Sequence, residues 1–354
     1  ISNSLSMNLC LNQIIKLYII MRIIWKVSKW IGIGIGSFLL LIILRGLCLR
    51  IFSSKPQPPG ELVDIGRFKL HINSKGARNN KPTLVIESGA GAPSEYYYWL
   101  GEGLKDGMRV VRYDRAGIRY SEMSNAPRDP ETVARELHTL LEKAGESPPY
   151  IMAGHSYGGH YIRVFKQLYP NEVTALVFLD SGHPDEHERL NMPPSPTWLN
   201  SMYYAGAVLG DLGVLDLHTR IVKRSILWAP GLPEEVTDRY LDYTLNGKYL
   251  WGYLEEEKWH DDLVEMSRKA MAFDTLPIRV FSGTHWNKKA LRKLGLDPNK
   301  IKVGRIKMQE EMASISTNGK VLFLDGGHIT IFSLKENADI ICKEIIQLVA
   351  ELEY

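Results

Sequence analysis

The stretch that decides the fold is Tyr150-Ile151-Met152-Ala153-Gly154-His155-Ser156-Tyr157-Gly158, which joins a short apolar run to a helical pattern. Residues 150–153 are typical of a buried strand, and residues 158–168 of an amphipathic helix that stops before Pro170. The turn between them is so sharp that the positions two before and two after the serine must be very small, as glycine is. A serine at such a turn protrudes at a helix N-terminus. Ser156 is therefore the predicted nucleophile.

Around this stretch, short apolar runs alternate with longer helical patterns, which predicts βα units and a mainly parallel sheet. Residues 62–65 and 68–72 flank Gly66 as an opening hairpin. A helix should begin at Asp129-Pro130-Glu131, which supplies an N-cap and a proline in the first turn. The later strands are predicted at residues 83–86, 110–113, 150–153, 175–179, 278–281 and 321–324.

Residues 183–275 break this alternation and are interpreted as a helical cap inserted over the end of the sheet. The segment has several prolines and no clear strand, but it is rich in aromatic side chains. Any one ring could equally pack the cap on the sheet, whereas the whole set favours an apolar pocket. The rings belong to Trp198, Tyr203, Tyr204, Trp228, Tyr240, Tyr243, Tyr249, Trp251, Tyr253 and Trp259.

The N-terminal region carries a candidate membrane anchor. Residues 31–44 are entirely apolar or small. With Arg45 and Arg50 reaching toward the interface, residues 30–52 reach the length of about 20 residues that a bilayer requires. A buried helix of the fold is the weaker alternative because this run shows no polar face. Basic residues precede it and no Ala-x-Ala cleavage site follows. We therefore expect an uncleaved, single-pass signal-anchor.

The basic residues at 16–29 favour a cytoplasmic N-terminus and a catalytic domain outside the cytoplasm. The first methionines are Met7 and Met21, so residues 1–20 could lie upstream of the native start. The predicted division is a leader at 1–29, an anchor at 30–52 and a Pro-rich linker at 53–60. The core would comprise residues 61–182 and 276–354, with the cap at 183–275.

Composition narrows the possible partners and cofactors. The net charge is +3, but residues 1–60 hold seven basic side chains and no acidic one, so the rest of the chain is mildly acidic and nucleic acid is not an expected partner. Only Cys342 lies in the predicted folded domain, which excludes a disulfide within it. No Cys/His spacing resembles a zinc site, and we expect neither a metal nor another cofactor.

From about residue 61 onward the chain resembles the α/β-hydrolase superfamily. Four motifs, weak singly but specific together, occur in the family's order. They are Glu87-Ser88-Gly89-Ala90-Gly91, Asp114-Arg115-Ala116-Gly117 with Ser121, the turn at Ser156, and Gly326-Gly327-His328. The resemblance implies an eight-stranded, mostly parallel sheet flanked by helices, with a helical cap domain. The apolar run at residues 30–52 adds an N-terminal transmembrane helix to this predicted fold.

The same resemblance implies roles for individual residues. His328 matches the catalytic histidine that follows the last strand, and the backbone N–H groups of Ala90 and Tyr157 match the oxyanion hole. Many members have His-Gly where this chain has Ser88-Gly89. This difference does not affect the oxyanion hole if its donors are backbone N–H groups. We expect Asp114 and Arg115 to be structural.

The acid of the triad is less directly indicated. Residues 281–287, after the seventh strand, offer no carboxylate where family members usually place it. Some members place it after the sixth strand, where this chain has Asp180, and Asp180 is the predicted acid that orients the histidine. Asp185 and Asp297 are the alternatives. His155 and Gly91 are predicted to line the substrate pocket.

The expected function is serine hydrolysis of an apolar carboxylic ester through a Ser-His-Asp triad and an acyl-enzyme. Serine rather than aspartate at position 156 argues against dehalogenase and epoxide-hydrolase chemistry. Acyl transfer, peptide cleavage, carbon–carbon bond hydrolysis and haloperoxidation stay open. A second class of function is a non-catalytic sensor that binds a small molecule under the cap.

Overall fold

The structure is a computed structural model that describes residues 2–52, 57–193, 197–243, 245–270 and 273–352. The predicted linker at 53–60 lies partly outside the described residues, and so do a few positions of the predicted cap. The chain at residues 57–60 leads directly into the first strand of the sheet.

An eight-stranded sheet forms the centre of the molecule, with strand order β1-β2-β4-β3-β5-β6-β7-β8. β2 pairs antiparallel with β1 and β4, and the pairs from β4 through β3 to β8 are all parallel. The predicted fold class is therefore confirmed. The strands are β1 (Glu61–Asp64), β2 (Lys69–Lys75), β3 (Thr83–Glu87), β4 (Val110–Asp114), β5 (Tyr150–His155), β6 (Val173–Leu179), β7 (Ile278–Gly283) and β8 (Gly319–Leu324).

Helices cover both faces of this sheet. The long N-terminal helix is α1 (Ser2–Phe52). Those that pack on the sheet or follow its strands are α2 (Tyr98–Leu104), α3 (Pro130–Lys143), α4 (Gly158–Leu168), α11 (Lys288–Lys293), α12 (Pro298–Ser314), α13 (Thr330–Ser333) and α14 (Lys335–Glu351). Between β6 and β7 lie α5 (Glu186–Arg189), α6 (Thr197–Asp211), α7 (Val214–Val222), α8 (Glu234–Asp242), α9 (Lys248–Glu257) and α10 (His260–Lys269).

The central strands are buried on both faces, which is why they appear in the sequence as continuous apolar runs rather than alternating ones. One core cluster joins the sheet to α2 and α14, and the other joins it to α3 and α4. Asp129 caps α3 as predicted, because its carboxylate accepts a hydrogen bond from the Thr132 N–H at 2.9 Å.

The N-terminal helix α1 is continuous from Ser2 to Phe52, so no break in helical structure marks the predicted boundary at residue 30. Within its stretch Leu11–Leu49, an 18-residue segment has a mean hydropathy of 2.2, so this stretch is long and apolar enough to cross a membrane, a test that a signal sequence also passes. Near its C-terminal end, Arg45 Nη2 lies 2.8 Å from Asp216 Oδ2 of α7.

Candidate active site

The turn that carries Ser156 requires glycine on both sides. Ser156 follows β5 with φ of +53°, a left-handed conformation that costs free energy for a residue with a side chain. A Cβ on Gly154 would lie 2.4 Å from the Gly158 carbonyl oxygen, and one on Gly158 would lie 2.2 Å from that of Glu87. The two glycines therefore permit the strand, the turn and α4 to pack closely.

His328 and Asp180 are hydrogen-bonded although 148 positions separate them in the sequence. His328 lies in the loop after β8, and its Nδ1 is 2.6 Å from Asp180 Oδ2, just beyond β6. The imidazole is half exposed, whereas the carboxylate is buried. Ser156, Asp180 and His328 all line one cavity, so the structure brings the three predicted residues to the same place.

The surroundings of Asp180 are built to hold a carboxylate. Its Oδ1 accepts hydrogen bonds from Ser282 Oγ at 2.9 Å and from the Gly283 N–H at 3.0 Å. Arg305 of α12 places Nη2 at 3.5 Å from Oδ2. Burial alone would raise the pKa of Asp180, but the His328 hydrogen bond and charge, the Arg305 charge and the Gly283 N–H outweigh it. The pKa therefore lies well below its ordinary value, and Asp180 is ionised at neutral pH.

The two alternative acids occupy other positions. Asp185 pairs with Arg268, whose Nε lies 2.8 Å from the Asp185 carboxylate. Asp297 caps α12 and accepts a hydrogen bond from the Asn299 N–H at 2.9 Å. Neither carboxylate is hydrogen-bonded to His328 among the described residues, and the predicted preference for Asp180 agrees with this geometry.

His155, predicted to line the substrate pocket, is buried and is not among the described residues that surround the cavity of Ser156. Its Nε2 lies 3.1 Å from the His328 carbonyl oxygen, and its Nδ1 lies 3.0 Å from the Tyr97 hydroxyl. Burial, with the nearby charge of His328, holds the pKa of His155 well below its ordinary value. A neutral ring that donates from Nε2 and accepts at Nδ1 satisfies both contacts and supports the loop of His328.

The predicted oxyanion hole lies between two loops. Gly89 approaches Ser156 so closely that a Cβ on Gly89 would be 3.2 Å from Ser156 Cβ. The Gly89 N–H donates to the Tyr97 hydroxyl at 3.2 Å. Among the described residues, the N–H groups of Ala90 and Tyr157 have no acceptor in the protein. Two free donors close to the serine are what a developing oxyanion requires.

Gly91, also predicted to line the pocket, lies in this loop and contacts the cap. Its N–H donates to Glu256 Oε2 at 3.1 Å, and Tyr253 packs against its α-carbon. The residue is buried with φ of +60°, a conformation that suits glycine. It is not part of the cavity lining among the described residues.

Arg115 connects this loop to the cap. The guanidinium is buried and donates to the carbonyl oxygens of Ser88 and Gly89, each at 2.7 Å. It also pairs with Glu87 at the end of β3 and with Glu256 of α9, at 2.5 and 2.7 Å. Burial alone would lower the pKa of Arg115, but the charges of Glu256 and Glu87 outweigh it and raise the pKa. Arg115 is structural, as predicted, and its cap partner was not foreseen.

Replacing Glu256 by glutamine is expected to lower the free energy of unfolding by about 3 kcal/mol, because it leaves the buried Arg115 with one carboxylate instead of two. The measurement is equilibrium unfolding in urea. The neighbouring Glu255→Gln is the matched control, since Glu255 is exposed and pairs with Lys258 at the surface. Equal unfolding midpoints for the two variants would contradict a stabilising role for Glu256.

The cavity that contains Ser156 and His328 has a volume of about 960 Å³. Most of the side chains around it are polar or ionisable, while their apolar parts make up about half of the lining surface. Tyr157 lines it as well, and its hydroxyl donates to Glu257 at 2.8 Å and lies 2.6 Å from His260 Nδ1. Among the described residues, no group of three or more His, Cys, Asp or Glu side chains could hold a metal ion.

Comparison with known proteins agrees with this architecture. A family model described as the α/β-hydrolase fold matches residues 82–215. An esterase from Exiguobacterium antarcticum aligns with a TM-score of 0.57 at 15% identity, over 82% of this chain and 99% of that one. The chain has the α/β-hydrolase fold, and its residues 82–215 match that family's model. A thermophilic esterase from Thermogutta terrifontis has a TM-score of 0.54 at 17% identity, over 80% of this chain and 94% of that one.

Among curated relatives, the uncharacterised protein YbdG of Bacillus subtilis is 30% identical over 174 residues, 47% of this chain and 53% of that protein. Across the first relatives, the matched part covers between 20% and 53% of their own length. The esterase structures are too distant in sequence to show more than the fold. The fold is thus what this chain shares with the two esterase structures.

Sequence reasoning missed Arg305, which contacts Asp180, and Tyr97, which contacts His155. Arg305 lies in a helix 125 positions after Asp180, and nothing in its local sequence distinguishes it from a surface arginine. Tyr97 lies after β3, in a segment whose aromatic run could have drawn attention. Both depend on contacts between distant parts of the chain.

Proposed function

We propose that the protein hydrolyses carboxylic esters, with Ser156 as nucleophile, His328 as general base and Asp180 as the acid that orients it. The observation that supports this most directly is the hydrogen bond between His328 Nδ1 and Asp180 in a cavity that Ser156 also lines. A carboxylate at Nδ1 fixes the proton there, so Nε2 is the nitrogen left to accept a proton from the serine.

In this mechanism His328 takes the hydroxyl proton of Ser156 while Oγ attacks the ester carbonyl carbon. The N–H groups of Ala90 and Tyr157 stabilise the negative charge that develops on the carbonyl oxygen. The proton then passes from His328 to the departing alcohol, and an acyl-enzyme remains. Water, deprotonated by the same histidine, releases the carboxylic acid and restores the serine.

The cavity lining changes the substrate we propose. Its polar and ionisable side chains favour an ester that carries polar groups beside its acyl chain over a wholly apolar one. We also propose that α1 anchors the protein in a membrane, on the basis of its long exposed apolar surface. The orientation, with the catalytic domain outside the cytoplasm, stays a prediction.

A fluorophosphonate probe is expected to label the wild-type protein covalently, because the activated serine attacks phosphorus as it attacks an ester carbonyl. Ser156→Ala should abolish labelling and also turnover of a panel of acyl esters of increasing chain length. Ser314→Ala, at an exposed serine of α12, is the matched control and should label normally. Folded wild-type protein that neither labels nor cleaves any ester would favour the non-catalytic sensor instead.

A further inference from the structure

Two neighbouring cap helices, α6 and α7, expose an apolar surface that no described part of the chain covers. We call it the cap patch. Trp198 is 64% exposed and Ile221 is 72% exposed. On α6 the spacing of Trp198, Met202 and Leu209 places them on one helical face. The patch consists of Trp198, Met202, Tyr204, Val208, Leu209, Ile221 and Val222.

The cap patch adjoins the N-terminal helix. Gly46 of α1 packs against the junction of α6 and α7, where a Cβ on it would lie 2.6 Å from the Leu212 carbonyl oxygen and 2.9 Å from the Gly213 α-carbon. Next to it, Arg45 pairs with the buried Asp216 of α7 at 2.8 Å. The exposed apolar side chains of α1 therefore adjoin the exposed apolar surface of the cap, and they continue past Gly46 to Phe52.

The position of this junction along α1 sets its depth in a bilayer. Residues 30–44 lie between Lys29 and Arg45, and a helix of that length rises about 22 Å, somewhat less than the roughly 30 Å of a hydrocarbon core. Long basic side chains at both ends extend that reach to the boundary with water. If α1 spans the membrane, the Arg45–Asp216 pair lies at this boundary, and the cap lies against the membrane surface.

The charges beside the patch suit a lipid surface. Lys223 and Arg224 follow Ile221 and Val222 directly and are exposed. Arg220, one turn before Arg224, shares the buried carboxylate of Asp216 with α1. Apolar and aromatic side chains bordered by cations are characteristic of protein surfaces that lie in the interface of a bilayer containing anionic lipids.

We propose that the cap patch rests in the headgroup region of the bilayer beside the anchor. This inference rests on the proposed membrane anchoring by α1. It places the active-site cavity next to the lipid surface, since Asn200 of α6 lines the cavity while Trp198 and Met202 of the same helix belong to the patch. Only α6 would then separate an ester in the membrane from the cavity.

The test uses the full chain reconstituted in phosphatidylcholine–phosphatidylglycerol vesicles with brominated acyl chains, which quench fluorophores that touch lipid. Cys10 and Cys48 are replaced by serine, and NBD is attached to a single new cysteine. Ile221→Cys reports on the patch, with Val208→Cys as a second site. Ile346→Cys is the matched control, because Ile346 is similarly exposed at 52% but lies on α14. Leu40→Cys reports on the anchor.

Brominated lipid is expected to reduce the emission of the Ile221 and Val208 probes by about twofold or more and to leave the Ile346 probe unchanged. Quenching at Leu40 without quenching at Ile221 or Val208 would overturn the cap-patch proposal and leave the anchor standing. An unquenched Leu40 probe would refute the anchor, and the cap patch with it. A blue-shifted but unquenched Ile221 probe would show that a second copy covers the patch, which also overturns the proposal.

Discussion

His328→Ala is expected to lower kcat/KM for a carboxylic ester by about five to six orders of magnitude, because the serine then has no base to accept its proton. The backbone carbonyl that accepts the hydrogen bond of His155 is retained, so the loop should keep its position. The half-exposed His328 side chain also contributes little packing. The loss should therefore appear in turnover and not in the unfolding midpoint.

His285→Ala provides the matched control for this result. His285 lines the same cavity and pairs with the exposed Asp325 at 2.7 Å, but it is hydrogen-bonded to no member of the proposed triad. Its substitution should change kcat/KM by less than about tenfold. If His328→Ala retained activity within tenfold of the wild type, another base would have to serve Ser156, and the proposed mechanism would be wrong.

The local parts of this site could be predicted from sequence because short-range rules determine them. A glycine two residues before Ser156 is required by a contact of 2.4 Å within one strand–turn–helix unit, and a glycine two residues after it by a contact of 2.2 Å with Glu87 at the end of the adjacent β3. The strands could be located because burial on both faces leaves apolar runs that are bounded by turn residues. Family order then pointed to His328 and Asp180 as members of the same site.

The remaining parts depend on contacts that no local pattern records. Glu256 meets Arg115 across 141 positions, and the segment around Glu256 is a short run of acidic residues on a cap helix. The many polar side chains around the cavity were missed for a similar reason. Several cap rings pack into the core, the alternative left open for any single ring, as Tyr240 does at 1% exposure. Composition does not tell which side of a cap helix faces the cavity.

The most specific part of the proposed mechanism is the role of Asp180, since it departs from the usual position after β7. The end of β7 supplies donors rather than an acid: Ser282 and Gly283 both donate to Asp180 Oδ1. The carboxylate is thereby fixed with Oδ2 toward His328 Nδ1. Its depressed pKa keeps it ionised throughout the neutral range, where it can hold the histidine in the tautomer with Nε2 free.

Asp180→Asn is expected to lower kcat/KM about 10⁴-fold with little change in overall shape. An asparagine that keeps its oxygen toward Ser282 and Gly283 presents its NH₂ group to His328 Nδ1, which stabilises the tautomer that cannot accept the Ser156 proton. Asp185→Asn removes a partly exposed carboxylate that pairs with Arg268 and should cost less than about tenfold. Steady-state kinetics of the two variants on one soluble ester decide which aspartate is the acid of the triad. Near wild-type turnover in Asp180→Asn, with a large loss in Asp185→Asn, would assign that role to Asp185.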